Sequence, residues 1–149
     1  MGKLESQLVG VAGEYLVAGE LTLRGHIASI TLRNSRGIDI LASNSDGTKS
    51  VSIQVKANSS GYRTWILSKK SETFYSKNHF YIFVSISEIG KRPSYYIVPS
   101  EVVAKKISKG HREWLRGTKK DGSPRKDSSM RKFVDWNDEY LEKWELLRL

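Results

Sequence analysis

The segment RGIDILASNSDGTKSVSIQVKAN, Arg36 to Asn58, places an Asp-Gly turn signal between two runs rich in strand-forming residues. A two-residue turn centred on Asp46-Gly47 pairs residues whose numbers sum to 93, setting Ala42 opposite Val51, Ile40 opposite Ile53 and Ile38 opposite Val55. Side chains alternate along a strand, so one face of this ribbon is wholly apolar and must pack against something. The other face carries Asp39 opposite Gln54, with Lys56 opposite Gly37.

The flanking sequence supplies the partners. Leu4 to Leu23 reads as a helix, with Leu8, Val11, Ala12, Tyr15, Leu16, Ala18 and Leu21 at three- and four-residue spacing and an Arg24-Gly25 stop. Ile27 to Arg33, Ile38 to Ser43, Ser50 to Ala57 and Tyr62 to Leu67 read as strands, and Ser68 to Ser76 as a short helix. HFYIFVSI, His79 to Ile86, is the pattern of a strand buried on both faces, followed by a strand over Ser94 to Val98. A helix over Glu101 to Ser108 takes Ser100 as its N-cap and Gly110 as its stop. Residues 117–129 read as a basic loop, and 137–149 as a closing amphipathic helix with Tyr140, Leu141, Trp144, Leu147 and Leu149 inward. This order predicts an α/β or α+β fold: a central mixed sheet flanked by helices.

Residues 1–149 suit a single domain with one core. With no cysteine, disulfides and Cys-based zinc sites are excluded, and His26, His79 and His111 show no ligand spacing. The longest apolar run is too short to span a bilayer, and neither that run nor the start of the chain suggests a membrane or secretory segment, so a cytoplasmic protein is expected. MGKLES matches the loose N-myristoylation pattern at Gly2, as many unrelated termini do.

The polar face of the hairpin admits two readings. Asp39 and Lys56 can form an ion pair on a solvated sheet face with Gln54 beside them. Alternatively, the aromatic-rich segments that follow half-cover this face, and a carboxylate, an amide oxygen and an ammonium then suit Mg²⁺ and a reacting water. One carboxylate holds Mg²⁺ poorly, so a second is needed. Glu14 is the candidate, because its helix neighbours Gly10, Val11, Val17 and Ala18 are small or apolar and place it on the packed side. Glu20 is the alternative second carboxylate, with a simpler explanation as an exposed acid paired with Arg24 one turn on.

Glu14 in GVAGEYLVAGEL, Asp39 in RGIDILAS and Gln54-Val55-Lys56 in SIQVKA together resemble the PD-(D/E)xK restriction-endonuclease-like superfamily. The resemblance covers about Gln7 to Lys105 and is nearest to the Mrr-like and small stand-alone bacterial branch with a QxK motif. It implies an αβββαβ core with extra C-terminal helices, and metal-dependent hydrolysis of DNA phosphodiester bonds by an endonuclease. Glu14, Asp39 and Gln54 would hold Mg²⁺ or Mn²⁺, and Lys56 would orient the water and neutralise charge. Gly37-Ile38 stands where the family has a proline, and the neutral Gln54 makes Glu14 necessary.

A net charge of +9 points to a polyanionic partner, and most of it lies in one segment. Residues 105–132 hold eleven Lys and Arg against three Asp and Glu. Lys105, Lys106, Lys109, Arg112 and Arg116 on a helix, with Lys119, Lys120, Arg125 and Lys126 on the loop, are expected to follow a DNA backbone with steep salt dependence. Trp114 and Trp136 can stack on bases or fill the core. The closing helix offers a homodimer surface. A catalytically inactive nucleic-acid-binding module of the same fold, and a basic protein that binds an acidic partner, remain as alternatives.

Overall fold

Helix α1 spans Ser6–Leu23 and buries Val9, Gly13, Val17 and Leu21, a stripe at four-residue spacing. Tyr15 and Leu8, expected inward, are exposed, because the small Gly13 lets the stripe containing it approach the sheet most closely. A Cβ at Gly13 would sit 2.7 Å from the Ala57 Cβ, whereas Gly10 and Gly19 have open space around them. Gly10→Ala is therefore expected to stabilise the helix by about 0.5–1 kcal/mol. At Gly13 the same propensity gain meets a clash with a methyl that cannot rotate away, and overpacking costs about 1–3 kcal/mol. Gly13→Ala should lower the urea midpoint where Gly10→Ala raises it. The computed structural model describes residues 4–32 and 36–149, so Gly2 of the myristoylation pattern and Arg33 of the first expected strand lie outside the described residues.

Five strands form the main sheet: β1 (Ile27–Ile30), β2 (Ile40–Ser43), β3 (Ser50–Asn58), β5 (His79–Ser85) and β6 (Ser94–Pro99), in the order β1-β2-β3-β5-β6. Only β3 and β5 pair in parallel, so the sheet is mixed. β5 is buried along its whole length, as its apolar run requires. Its Phe80, Ile82 and Val84 join Val17, Leu21, Ile53 and Val55 in the cluster under α1, while Tyr81 and Phe83 face the opposite layer.

That opposite layer was only partly visible in the sequence. β4 (Thr64–Ser68) leaves the main sheet and pairs with β7 (Met130–Val134) in a second, two-stranded sheet. It lays Trp65, Leu67 and Phe133 over Tyr81 and Phe83, and the Trp65 indole donates to the Val84 carbonyl at 3.0 Å. β7 escaped notice because Arg131 occupies an inward position, where it is buried and paired with Glu72 and its guanidinium donates to the Ser128 carbonyl at 2.7 Å. An alternating apolar pattern does not reveal a strand with an inward arginine.

Two expected helices are corrected. Helix α2 runs from Ser100 to Leu115, through Gly110 and past the expected end at Ser108. Ser100 is its first residue rather than its N-cap, and the hydroxyl instead donates to the Ser76 carbonyl at 3.0 Å and accepts the Ser76 N–H at 3.1 Å. The closing helix over 137–149 does not form. Asp138, Glu142 and Arg148 are left-handed, and only a 3-10 turn, Trp144–Leu147, is helical. The free edge of β6 draws the chain into extended pairing: Ile97 N–H donates to the Tyr140 carbonyl at 3.0 Å, and Glu142 N–H to the Tyr95 carbonyl at 2.8 Å. The Asp135 carboxylate takes the N–H groups of Glu139 and Tyr140. Leu147 is still buried, but the aromatic helix offered as a dimer surface is absent.

Candidate active site

The expected register holds up to Ile40. Ser43, Ala42 and Ile40 pair with Ser50, Val51 and Ile53, although the connection is wider than a two-residue turn: Asn44 N–H reaches the Lys49 carbonyl at 3.1 Å, and Asp46 Oδ1 accepts both the N–H and the hydroxyl of Thr48. At Asp39 the ladder changes. Asp39 N–H donates to the Ile53 carbonyl at 2.8 Å, so two residues of one strand meet one of its partner, a β-bulge. The Ile38 carbonyl, which would have received Val55 N–H in an unbroken ladder, instead accepts the Thr31 hydroxyl at 2.6 Å. The Asp39 carboxylate takes its place, with Val55 N–H donating to Oδ2 at 2.7 Å.

The strict pairing of Asp39 with Gln54 and of Gly37 with Lys56 is thus replaced by a side chain that closes the ladder. One Asp39 oxygen is committed to Val55. Burial pushes its carboxyl above the ordinary value of 3.8, against smaller downward pulls from Val55 N–H and the Lys56 ammonium.

Gln54 projects toward the same end of the ribbon. Gly37, at φ +65°, leaves room beside it: a Cβ there would stand 3.5 Å from Gln54 Oε1 and 3.3 Å from the Phe74 ring. Glu14 is half-buried on α1, one residue beyond Gly13, whose neighbours are Val55 and Ala57. The helix therefore meets β3 on the face of Val55 and Ala57, whereas Gln54 and Lys56, register partners of Tyr81 and Phe83, alternate to the other face. Glu20 is committed elsewhere, to Arg24 at 3.4 Å and to Arg92, with Glu142 pairing with the same two arginines.

Among the described residues, no three His, Cys, Asp and Glu side chains gather as a metal cage. The expected donors, two carboxylates and one amide oxygen, carry less charge than such a cage but are all hard oxygens suited to Mg²⁺. A desolvated carboxyl only partly compensated by its neighbours is also the environment that a divalent cation would relieve.

No protein-family model and no curated protein matches the chain. Among solved structures, a bacterial homing endonuclease is similar at a TM-score of 0.54 and 16% identity, over 99% of this chain and 94% of that one. The fold is restriction-endonuclease-like. The Holliday junction resolvase Hjc of Archaeoglobus fulgidus is similar at a TM-score of 0.47 and 13% identity, over 85% of this chain and 88% of that one. No described helix is long and apolar enough to cross a membrane.

Helix α2, the first part of the basic segment, lies on the sheet face that carries Gln54, since it packs through Val103 and Ile107 onto the cluster holding Tyr81 and Phe83. Lys105, Lys109 and Arg112 line a cleft with Glu72 and Tyr75, beside the 3-10 turn Lys69–Glu72. Not all of the expected contacts are equally available. Lys105 pairs with Glu101 at 3.2 Å, and Lys106 lies over the rings of Phe133 and Tyr140. Arg125 donates to the Trp114 carbonyl at 2.7 Å and covers its indole. Arg116, Lys119, Lys120 and Lys126 are exposed, as are Trp114 and Trp136. The sequence reading missed the basic turn at Lys69-Lys70, whose only signal was two adjacent lysines directly after a strand.

Proposed function

We propose that this protein is a metal-dependent DNA endonuclease that hydrolyses phosphodiester bonds, of the QxK type that Gln54-Val55-Lys56 shares with the Mrr-like branch. The observation that supports it most is the bulge at Asp39, which ties Asp39 Oδ2 to the Val55 N–H between Gln54 and Lys56 in a fold that a homing endonuclease also has. Asp39, Glu14 and the Gln54 amide oxygen would hold Mg²⁺ or Mn²⁺, which when bound supplies Lewis acidity and makes water a nucleophile near neutral pH. Lys56 would hold the attacking water by hydrogen bonding and neutralise charge growing on the phosphoryl oxygens. The basic surface of α2 and the following loop supplies backbone contacts with little base reading.

Plasmid, linear and branched DNA incubated with Mg²⁺ or Mn²⁺ tests this reading, wild type beside Lys56→Ala. The wild type is expected to nick or cut, with the variant slower by about 10²–10³-fold, the usual effect of removing one charge-stabilising group. An equal cleavage rate in the two proteins defeats the assignment. The neutral Gln54 favours a second reading, a module that binds DNA without cutting, and retention of DNA in a gel with no cleavage in either metal would select it.

A further inference from the structure

An open cleft of about 690 Å³ runs between Arg36-Gly37 just ahead of Asp39, strands β3 and β5, and the 3-10 turn Lys69–Glu72. Gln54 and Tyr81, register partners on adjacent strands, both line it. Its remaining polar lining consists of Ser68, Ser71, Thr73, Lys70 and Arg36, a set rich in donors with no acid among them. The Tyr81 ring is stacked on Phe83 and fully buried, yet its hydroxyl has no hydrogen-bond partner among the described residues. A buried, unpaired hydroxyl costs free energy unless a ligand or partner relieves it. Ser71, itself buried, lines the same cleft as Tyr81.

Resting on the endonuclease reading, we propose that this cleft binds a backbone phosphate of the DNA next to the one cleaved, with Lys70 and the Ser71 hydroxyl contacting it and the Tyr81 hydroxyl, without a partner in the free protein, turning to donate to Ser71 once the phosphate is bound. A serine that accepts a hydrogen bond from below donates more strongly above, since hydrogen bonds in a chain polarise one another. The cleft shares Gln54 with the candidate metal site, so a strand held here is carried past the scissile position. Clefts on either side of the same 3-10 turn, this one and the one lined by Lys105, Lys109 and Arg112, then form one track for a polyanion.

The test measures binding of a short fluorescent duplex in EDTA, where no cleavage occurs, together with the melting temperature of each variant. Ser71→Ala is expected to weaken binding about tenfold, the effect of one hydrogen bond to a charged group. Tyr81→Phe should weaken it severalfold with the melting temperature unchanged or raised, because it removes an unsatisfied hydroxyl. Lys70→Ala, on an exposed turn, should reduce the slope of log affinity against log salt by about one. Binding by Ser71→Ala and Tyr81→Phe equal to wild type overturns the cleft assignment, as does an unchanged salt slope in Lys70→Ala. A wild type that neither binds nor cuts DNA defeats the endonuclease reading itself, so the two failures are distinct.

Discussion

Asp39→Asn is expected to abolish cleavage while leaving the fold in place. Asparagine retains an oxygen that can accept the Val55 N–H, the bond that closes the ladder at the bulge, and loses only the charge. If Asp39 holds the cation, its loss removes several kcal/mol of transition-state stabilisation, or about a 10³-fold drop in rate. Asp39→Ala should lose as much activity and also leave Val55 N–H without its acceptor, costing about 1–3 kcal/mol of stability. The two variants thus separate charge from scaffold, and cleavage assays beside urea denaturation read both.

The pH dependence follows from the direction of the Asp39 shift. The folded carboxyl titrates above 3.8, so between that value and its raised one the folded state holds more protons than the unfolded state. Stability contributed by this group is present at acid pH and is lost as pH rises through that window. At neutral pH, Asp39→Asn should be slightly more stable than wild type without metal. Added Mg²⁺ should raise the wild-type melting temperature and reverse the order; no response to Mg²⁺ in the wild type would contradict a cation at Asp39.

Phe133→Ala carries the largest expected loss of stability. The ring stacks on Phe83 with centroids 4.4 Å apart, lies near Trp65, and supports Lys106 from below. Truncating a fully buried phenylalanine costs about 3–5 kcal/mol, and in a chain of this size that lowers the melting temperature by roughly 10 °C. Because β7 covers the face that carries Tyr81 and supports the turn bearing Lys70, DNA affinity should fall with it. A drop of only a degree or two would mean that the two-stranded sheet is not part of the cooperative unit.

The candidate site was legible because its residues lie on elements with strong local signals. Turn residues and alternation located both hairpin strands and set the register to Ile40, which put Asp39, Gln54 and Lys56 forward as candidates on one ribbon. The bulge was not legible, because extending a register assumes unbroken alternation, while a glycine at Gly37 and the competing hydroxyl of Thr31 redirect the Ile38 carbonyl. α1 was found with the wrong inward phase, since hydrophobicity favoured Leu8 and Tyr15 where close approach favoured Gly13.

Periodicity and charge, both properties of nearby residues, were enough to place the main strands, the first helix, the polar trio on the hairpin and the concentration of positive charge after Lys105. The second sheet, the extended C-terminal segment and the cleft beside Gln54 depended on groups far apart in the chain. Arg131 becomes an inward residue only with Glu72 beside it, and residues 137–149 forgo a helix because the open edge of β6 offers their N–H and C=O groups other partners. Backbone hydrogen bonds and buried charges must be satisfied somewhere, and where they are satisfied is settled only when the whole chain has folded.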